Sequence, residues 1–196
     1  MVFINRIAGE ITVKLVYYGA GLSGKTTNVE HLYKSIDSER KGKLVSLKTD
    51  TDRTLFFDFL PLDIGKVQGM TLRVQMFSVP GQVFYDASRR LILKGVDGIV
   101  FVVDGQKERM DANIESFENL KRNLLLNSAL IDSIPVVIQY NKMDLRNAEK
   151  LSVMQELFNP DKKYPEFVAS AKTGLKVFET FKVIIRMIVK NIPFGK

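Results

Sequence analysis

Short apolar runs alternate with amphipathic stretches along this chain. Ile11–Tyr18, Leu72–Val79, Val96–Asp104 and Ile134–Asn141 read as strands. The last two are apolar enough to be buried on both faces, as strands of a parallel sheet are. Gly24–Ile36 and Asp111–Asn127 read as helices, and Phe167–Ser170 as a short last strand. Gln68-Gly69 reads as a turn, and Arg40–Asp52 as a polar, mobile stretch. A closing helix over about 174–191 carries Phe178, Phe181, Ile185, Ile188 and Ile192 at steps of three or four, one core-facing stripe. Pro193 stops it. Strands alternating with helices predict an α/β fold of three layers: a mostly parallel central sheet with helices on both faces. Ligands of such sheets bind at the carboxyl ends of the strands.

The length of 196 residues suggests one domain over 1–196. No run approaches a membrane span, and the longest clean apolar stretch, Ile99 to Val103, is strand-sized. The N-terminus lacks a signal-peptide layout, and neither end carries a lipidation motif. The chain has no Cys, which excludes a disulfide framework, a thiol nucleophile and a Cys-ligated metal. A cytoplasmic location is therefore expected. The net charge is +7, and residues 171–196 contribute six Lys/Arg against one Glu, or +5. That segment reads first as the solvated face of the closing helix; peripheral or cytoskeletal association stays open. No nucleic-acid partner is expected.

The chemistry begins at Gly19-Ala-Gly21-Leu22-Ser23-Gly24-Lys25-Thr26, which fits G-x-x-x-x-G-K-[ST]. It follows an apolar strand and opens a helix, as the motif requires. Glycines let backbone N–H groups turn inward around phosphate oxygens, and the helix N-terminus adds a partial positive charge. Lys25 is expected to reach the β- and γ-phosphates, with Thr26 on Mg²⁺ and Thr27 beside it among the nucleotide-binding residues. Gly21 falls where a side chain would intrude on the γ-phosphate. Asn141-Lys142-Met143-Asp144 ends another apolar strand. A carboxylate at Asp144 can accept from guanine N1–H and the 2-amino group, donors that adenine lacks. Asn141 would brace the loop, and the Lys142 stem would lie over the base. In Ser170-Ala171-Lys172 a backbone N–H can meet guanine O6.

The ordered set of phosphate loop, Asn-Lys-x-Asp and Ser-Ala-Lys resembles the Ras-like small GTPases, over about residues 11–191. Thr51-Asp-Arg53-Thr54-Leu-Phe-Phe-Asp58, Val79-Pro-Gly81-Gln82-Val-Phe-Tyr and the strand-to-loop sequence Tyr17–Asn28 look like the bacterial MglA branch of gliding-motility and polarity GTPases. The resemblance implies GTP and GDP with Mg²⁺ as ligands, and a protein that is a monomer alone. It makes Thr54 the first-switch residue on Mg²⁺ and the γ-phosphate. Gly81 would offer its N–H to the γ-phosphate, and Gln82 would orient the attacking water. Arg53 would be an intrinsic arginine finger, brought into place by a homodimeric roadblock-domain activator of the MglB kind. Slow hydrolysis alone and faster hydrolysis with that partner are expected.

The second switch departs from the usual Asp-x-x-Gly-Gln by placing Ser78 where the Asp stands. A serine supplies no charge to order Mg²⁺-bound water. MglA-like proteins share this departure, and Asp58 is the candidate to replace it. Leu55–Leu60 is apolar enough either to enter the core alternately, as a strand, or to slide in register and expose a docking face. His31, the only His, reads as structural. Arg89, Arg90 and Lys94 read as solvated or as contacts for an acidic partner. Two other functions stay open: a GTP-bound scaffold with negligible turnover, and a nucleotide kinase, against which Asn-Lys-x-Asp argues.

Overall fold

The computed structural model describes residues 2–48, 54–81 and 85–194. In chain order its elements are β1 (Phe3–Asn5), β2 (Glu10–Tyr18), α1 (Lys25–Ser35), β3 (Val45–Lys48), β4 (Thr54–Val67), β5 (Met70–Ser78), α2 (Asp86–Leu93), β6 (Gly98–Asp104), α3 (Met110–Leu126), β7 (Val136–Asn141), α4 (Leu151–Phe158), β8 (Glu166–Val168) and α5 (Val177–Lys190). The strands form one sheet in the order β3-β4-β5-β2-β6-β7-β8, with β1 antiparallel to the start of β2. β2 runs parallel to β5 and β6, and β6, β7 and β8 run parallel to one another. The β3–β4–β5 edge is antiparallel, as is the short β1–β2 pairing. Among the described residues, no helix is long and apolar enough to cross a membrane.

Alternation along β2 divides the core. Ile11, Val13, Leu15 and Tyr17 face Val29 and Leu32 of α1 and Val177, Phe181 and Ile184 of α5. Val16 and Tyr18 face the other way, toward Ile92 of α2, Leu120 of α3 and Met154 of α4. Phe101 of β6 lies 4.8 Å from the Phe117 ring of α3 and 5.9 Å from the Phe158 ring of α4, centroid to centroid. Burying each such ring stabilises by about 1.5–3 kcal/mol. All seven residues of β6 and all six of β7 are buried, as their unbroken apolar runs predicted.

Three expectations need correction. The stretch expected to be polar and mobile over 40–52 carries regular structure in its described part, 40–48, and 49–52 lie outside the described residues. A 3₁₀ turn covers Ser38–Arg40, Lys41 bridges Leu62, and Val45–Lys48 forms β3. This strand finds its backbone partners on β4, which its own polar sequence does not advertise. Phe178 does not belong to the core stripe of α5: it is 39% exposed, on the flank, with Lys182 Nζ 4.6 Å from its ring. The buried face is Val177, Thr180, Phe181, Ile184, Ile185 and Ile188, with Val177 rather than Phe178 facing the core at its start. Last, Arg89 is buried rather than displayed to a partner, while Arg90 and Lys94 do face solvent.

Candidate functional site

The carboxyl ends of β2, β6 and β7 converge on one edge of the sheet, and the loops leaving them interlock. The phosphate loop links β2 to α1. Gly24, the residue before α1, has φ 97° and no side chain to cap the helix; no acidic residue lies in the first turn. The N-cap position therefore supplies no side chain to the start of α1, and the helix's own first turn supplies no acid, a condition suited to a bound phosphate. A Cβ on Gly24 would lie 2.2 Å from Asn141 Nδ2, so glycine is needed for both its dihedral and its space. Ser23 Oγ is buried and has no hydrogen-bond partner among the described residues. Thr27 is exposed on the first turn of α1.

Lys25 is buried at 6% exposure, and its Nζ donates to the carbonyls of Gly19 (2.9 Å) and Ala20 (2.7 Å). Burial, reinforced by Arg89 and Arg109 against the pull of Asp58 and Asp104, lowers its pKa to about 7. A phosphate would reverse this balance. Gly21 lies against Gly81 of the second switch: a Cβ on Gly81 would meet Gly21 Cα at 2.3 Å. The two glycines thus let the phosphate loop and the second switch touch backbone to backbone.

Asp58 of β4 pairs across the ladder with Ser78 of β5. Its buried carboxylate Oδ2 accepts the Thr26 hydroxyl at 2.5 Å and also the Ser78 hydroxyl. A charge missing from position 78 is thus supplied one strand away, beside Thr26. The oxygen donor set of Thr26 and Asp58 fits a hard divalent cation. Thr54 begins β4. Its side chain lies outside the described part, and Arg53 and Gln82 lie outside the described residues.

On the base-reading side Asn141 is a hub. Its Nδ2 donates to Ser23 O (2.7 Å) and its Oδ1 accepts the Ala171 N–H (2.7 Å), tying three loops together. With the Ala171 donor engaged, Lys172 N–H is the Ser-Ala-Lys donor with no partner among the described residues. Ser170 is buried and its Oγ accepts from Thr173 N–H at 3.4 Å. Lys142, at φ 62°, sends its ammonium to Asp104 Oδ2 at 2.7 Å. Asp144 is exposed, and no described residue neutralises it. An unpaired carboxylate beside a braced loop suits a ligand that offers paired N–H donors.

A family model described as the Ras family matches residues 14–190. The chain is also 53% identical over 195 residues, all of both chains, to the mutual gliding-motility protein MglA of Myxococcus xanthus (strain DK1622). The chain belongs to the Ras family, as a small GTPase of the MglA type. It is a hydrolase acting on GTP. Ras-family GTPases bind GTP and GDP with Mg²⁺, and the uncapped α1 terminus, the orphaned Ser23 hydroxyl and the buried Lys25 fit such a ligand.

Two groups in this GTPase escaped the sequence reading. Asp104 ends β6 fully buried, taking Lys142 on one oxygen and the Gln106 side-chain amide (3.1 Å) on the other. The clue was available: Asp104 ends one apolar strand as Asn141 ends the next, and the two are register partners. The other group anchors the second-switch helix. Asp86 of α2 accepts from Asn119 Nδ2 (2.6 Å) and Asn123 Nδ2 (2.8 Å) of α3, which hold its carboxyl below the usual range. Asn119 in turn accepts the Tyr18 hydroxyl at 2.5 Å, on the residue that precedes the phosphate loop. Arg89 reaches Asp86 at 3.6 Å. No sequence signal marked this network, because its members come from three elements.

Proposed function

We propose that the protein is a GTP-operated switch controlling gliding motility or cell polarity, slow alone and stimulated by a homodimeric roadblock-domain activator of the MglB kind. The observation that carries this reading is the interlocked phosphate and base loops, centred on Asn141, in a chain 53% identical to a mutual gliding-motility protein. Lys25 holds the β- and γ-phosphates. The N–H groups of Gly19, Gly21, Leu22, Ser23, Gly24 and Thr27 and their neighbours wrap the phosphate chain. Asp144, Lys142 and Lys172 hold the guanine, with Asn141, Ser170 and Ala171 shaping that pocket.

Thr26 and Thr54 are the proposed ligands of Mg²⁺, with Asp58 supplying the charge that Ser78 lacks. The metal neutralises charge on the phosphates when bound. Gly81 N–H receives the γ-phosphate and Gln82 orients the attacking water. Arg53 stabilises the charge that develops on the transferred group, a contribution of roughly 10³–10⁵ in rate. The pairing of Asp58, Leu60 and Leu62 with the core favours strand behaviour for this segment in the described register. A one-residue slide would turn Asp58 outward, which makes β4 a natural place for a nucleotide-linked register change. The scaffold reading drew on the absent charge at position 78; Asp58 weakens that ground. We place the protein in the cytoplasm as a monomer.

The test is steady-state phosphate release from GTP and ATP with Mg²⁺, for the native chain, Gln82→Leu and Arg53→Ala, each with and without the roadblock partner. The expected result is slow turnover of GTP alone, accelerated by the partner and lost at least 10³-fold in both variants. Tight GTP binding without turnover in any condition would replace the switch with the scaffold.

A further inference from the structure

The Arg109 side chain, outside the recognised motifs, joins the phosphate loop to Asp104, the last residue of β6 and the partner of Lys142. It closes a 3₁₀ turn, Lys107–Arg109, at the N-terminus of α3. Its Nη2 donates to the Gly21 carbonyl at 2.8 Å. Its Nε lies 3.9 Å from Asp104 Oδ2, the oxygen that takes the Lys142 ammonium at 2.7 Å. The turn itself is fixed to the base-reading loop: Gly105 N–H donates to Asn141 O (2.8 Å), Glu149 N–H to Gly105 O (2.7 Å) and Lys107 N–H to Asn147 O (3.2 Å). The arginine is therefore anchored from the base side and grips the crest of the phosphate loop.

The grip falls on a peptide that needs holding. Leu22 has φ 64°, a left-handed conformation that costs a non-glycine residue about 1–2 kcal/mol. Its side chain is 56% exposed, so packing does little to hold it there. The Gly21–Leu22 peptide is trans, and the C=O and N–H of a trans peptide point in opposite directions. Holding Gly21 O toward Arg109 therefore aims Leu22 N–H away from Arg109. That N–H has no partner among the described residues, and it lies within the loop whose inward N–H groups cradle phosphate.

We propose that Arg109 is a positioning residue for nucleotide retention: it clasps the Gly21–Leu22 peptide to the Asp104–Lys142 pair and so keeps one phosphate-loop N–H aimed at the nucleotide. The proposal rests on the guanine-nucleotide reading of the site. A guanidinium suits the task because its planar fork reaches two acceptors at once, whereas an ammonium can satisfy the carbonyl with a single bond.

Dissociation of mant-GDP and mant-GTP with Mg²⁺ should be followed by stopped-flow for the native chain, Arg109→Ala, Arg109→Lys and Arg186→Ala, an exposed arginine on α5 as charge control. Arg109→Ala should release both nucleotides about tenfold faster, equivalent to about 1.4 kcal/mol. Arg109→Lys, which keeps a single bond to the Gly21 carbonyl, should recover part of that loss, and Arg186→Ala should match the native rate. Native rates in Arg109→Ala would overturn the clasp. Equal acceleration in the Ala and Lys variants, with a matching fall in melting temperature, would also overturn it by assigning Arg109 to general packing. Failure of the native chain to bind mant-GTP or mant-GDP would overturn the guanine reading, and the clasp with it.

Discussion

The base-reading side of the site rests on β6 and β7, parallel strands in which every residue is buried, while the γ-phosphate side rests on β4 and β5, an antiparallel pair near the sheet edge. The first side is over-determined. Asn141 joins three loops, Asp104 takes Lys142 and Gln106, and the ladder between β6 and β7 runs without a register shift. On the second side the ladder shifts between Asp63 and Lys66 on β4, and again between Ser46 and Lys48 on β3. Its key charge, Asp58, accepts the hydroxyls of Thr26 and Ser78 among its contacts. Hydroxyls exchange partners readily, since each can donate or accept and their protons rotate. In the proposed binding mode, the parts of a nucleotide common to GDP and GTP would meet the fixed frame, and the part that differs would meet contacts that can be exchanged. That division is what a switch requires.

Removing the base-reading charge should break the comparison most strongly. Asp144→Asn is expected to lower GTP affinity on the order of 10⁴-fold, because guanine then faces an amide that repels one of its donors. Competition against a fluorescent GTP analogue measures it, and xanthosine triphosphate should bind the variant better than GTP does. Native-like GTP affinity would deny Asp144 its role.

A smaller and more selective effect is expected on the exchangeable side. Asp58→Ala should weaken Mg²⁺ binding in the GTP complex by about 10–100-fold, the range for groups that support a metal from beside its ligands. The readout is nucleotide release at graded Mg²⁺ concentrations, in which the native and variant curves should converge at high metal. Parallel curves that never converge would mean that Asp58 acts through the strand pairing and not through the metal.

The smallest effect concerns protons. Lys25 has a pKa of about 7 in the ligand-free protein against a lysine's ordinary 10.5. Between those values the folded, ligand-free chain binds fewer protons than the unfolded chain, so its stability rises with pH across that window. Phosphate favours the ammonium, so GDP binding should take up close to one proton there, roughly, and weaken as pH rises. Calorimetry in buffers of different ionisation enthalpy would detect this uptake. Its absence near pH 8.5, in about the middle of the window, would mean that Lys25 stays charged without nucleotide.

Hydrophobic period was enough to read the strands that carry the site. β6 and β7 are nearly continuous apolar runs and β2 alternates before ending apolar, and the phosphate and Asn-Lys-x-Asp motifs sit at their ends, where a parallel sheet places ligands. Helices α2 and α4 were not legible for a local reason. Each has only eight residues, and α2 buries Arg89 along with Ile92 and Leu93, which blurs the apolar period. The full length of β4 was hidden by Pro61, which cannot donate to a ladder. The sheet tolerates it because Pro61 contributes only its carbonyl, accepting from Gly42 N–H at 2.9 Å.

By itself, then, the sequence determined the fold class, and it marked the phosphate-loop and Asn-Lys-x-Asp motifs on which the proposed role of Asp144 rests, because each depends on residues adjacent in the chain or on a simple period. Only the tertiary structure decided which residues support them. It brought Asp58 of β4 to Thr26 of α1 and Ser78 of β5, Asp86 of α2 to Asn119 of α3, and Arg109 to Gly21. These partners are far apart in sequence, and their meeting depends on strand register and helix packing, which no local pattern encodes.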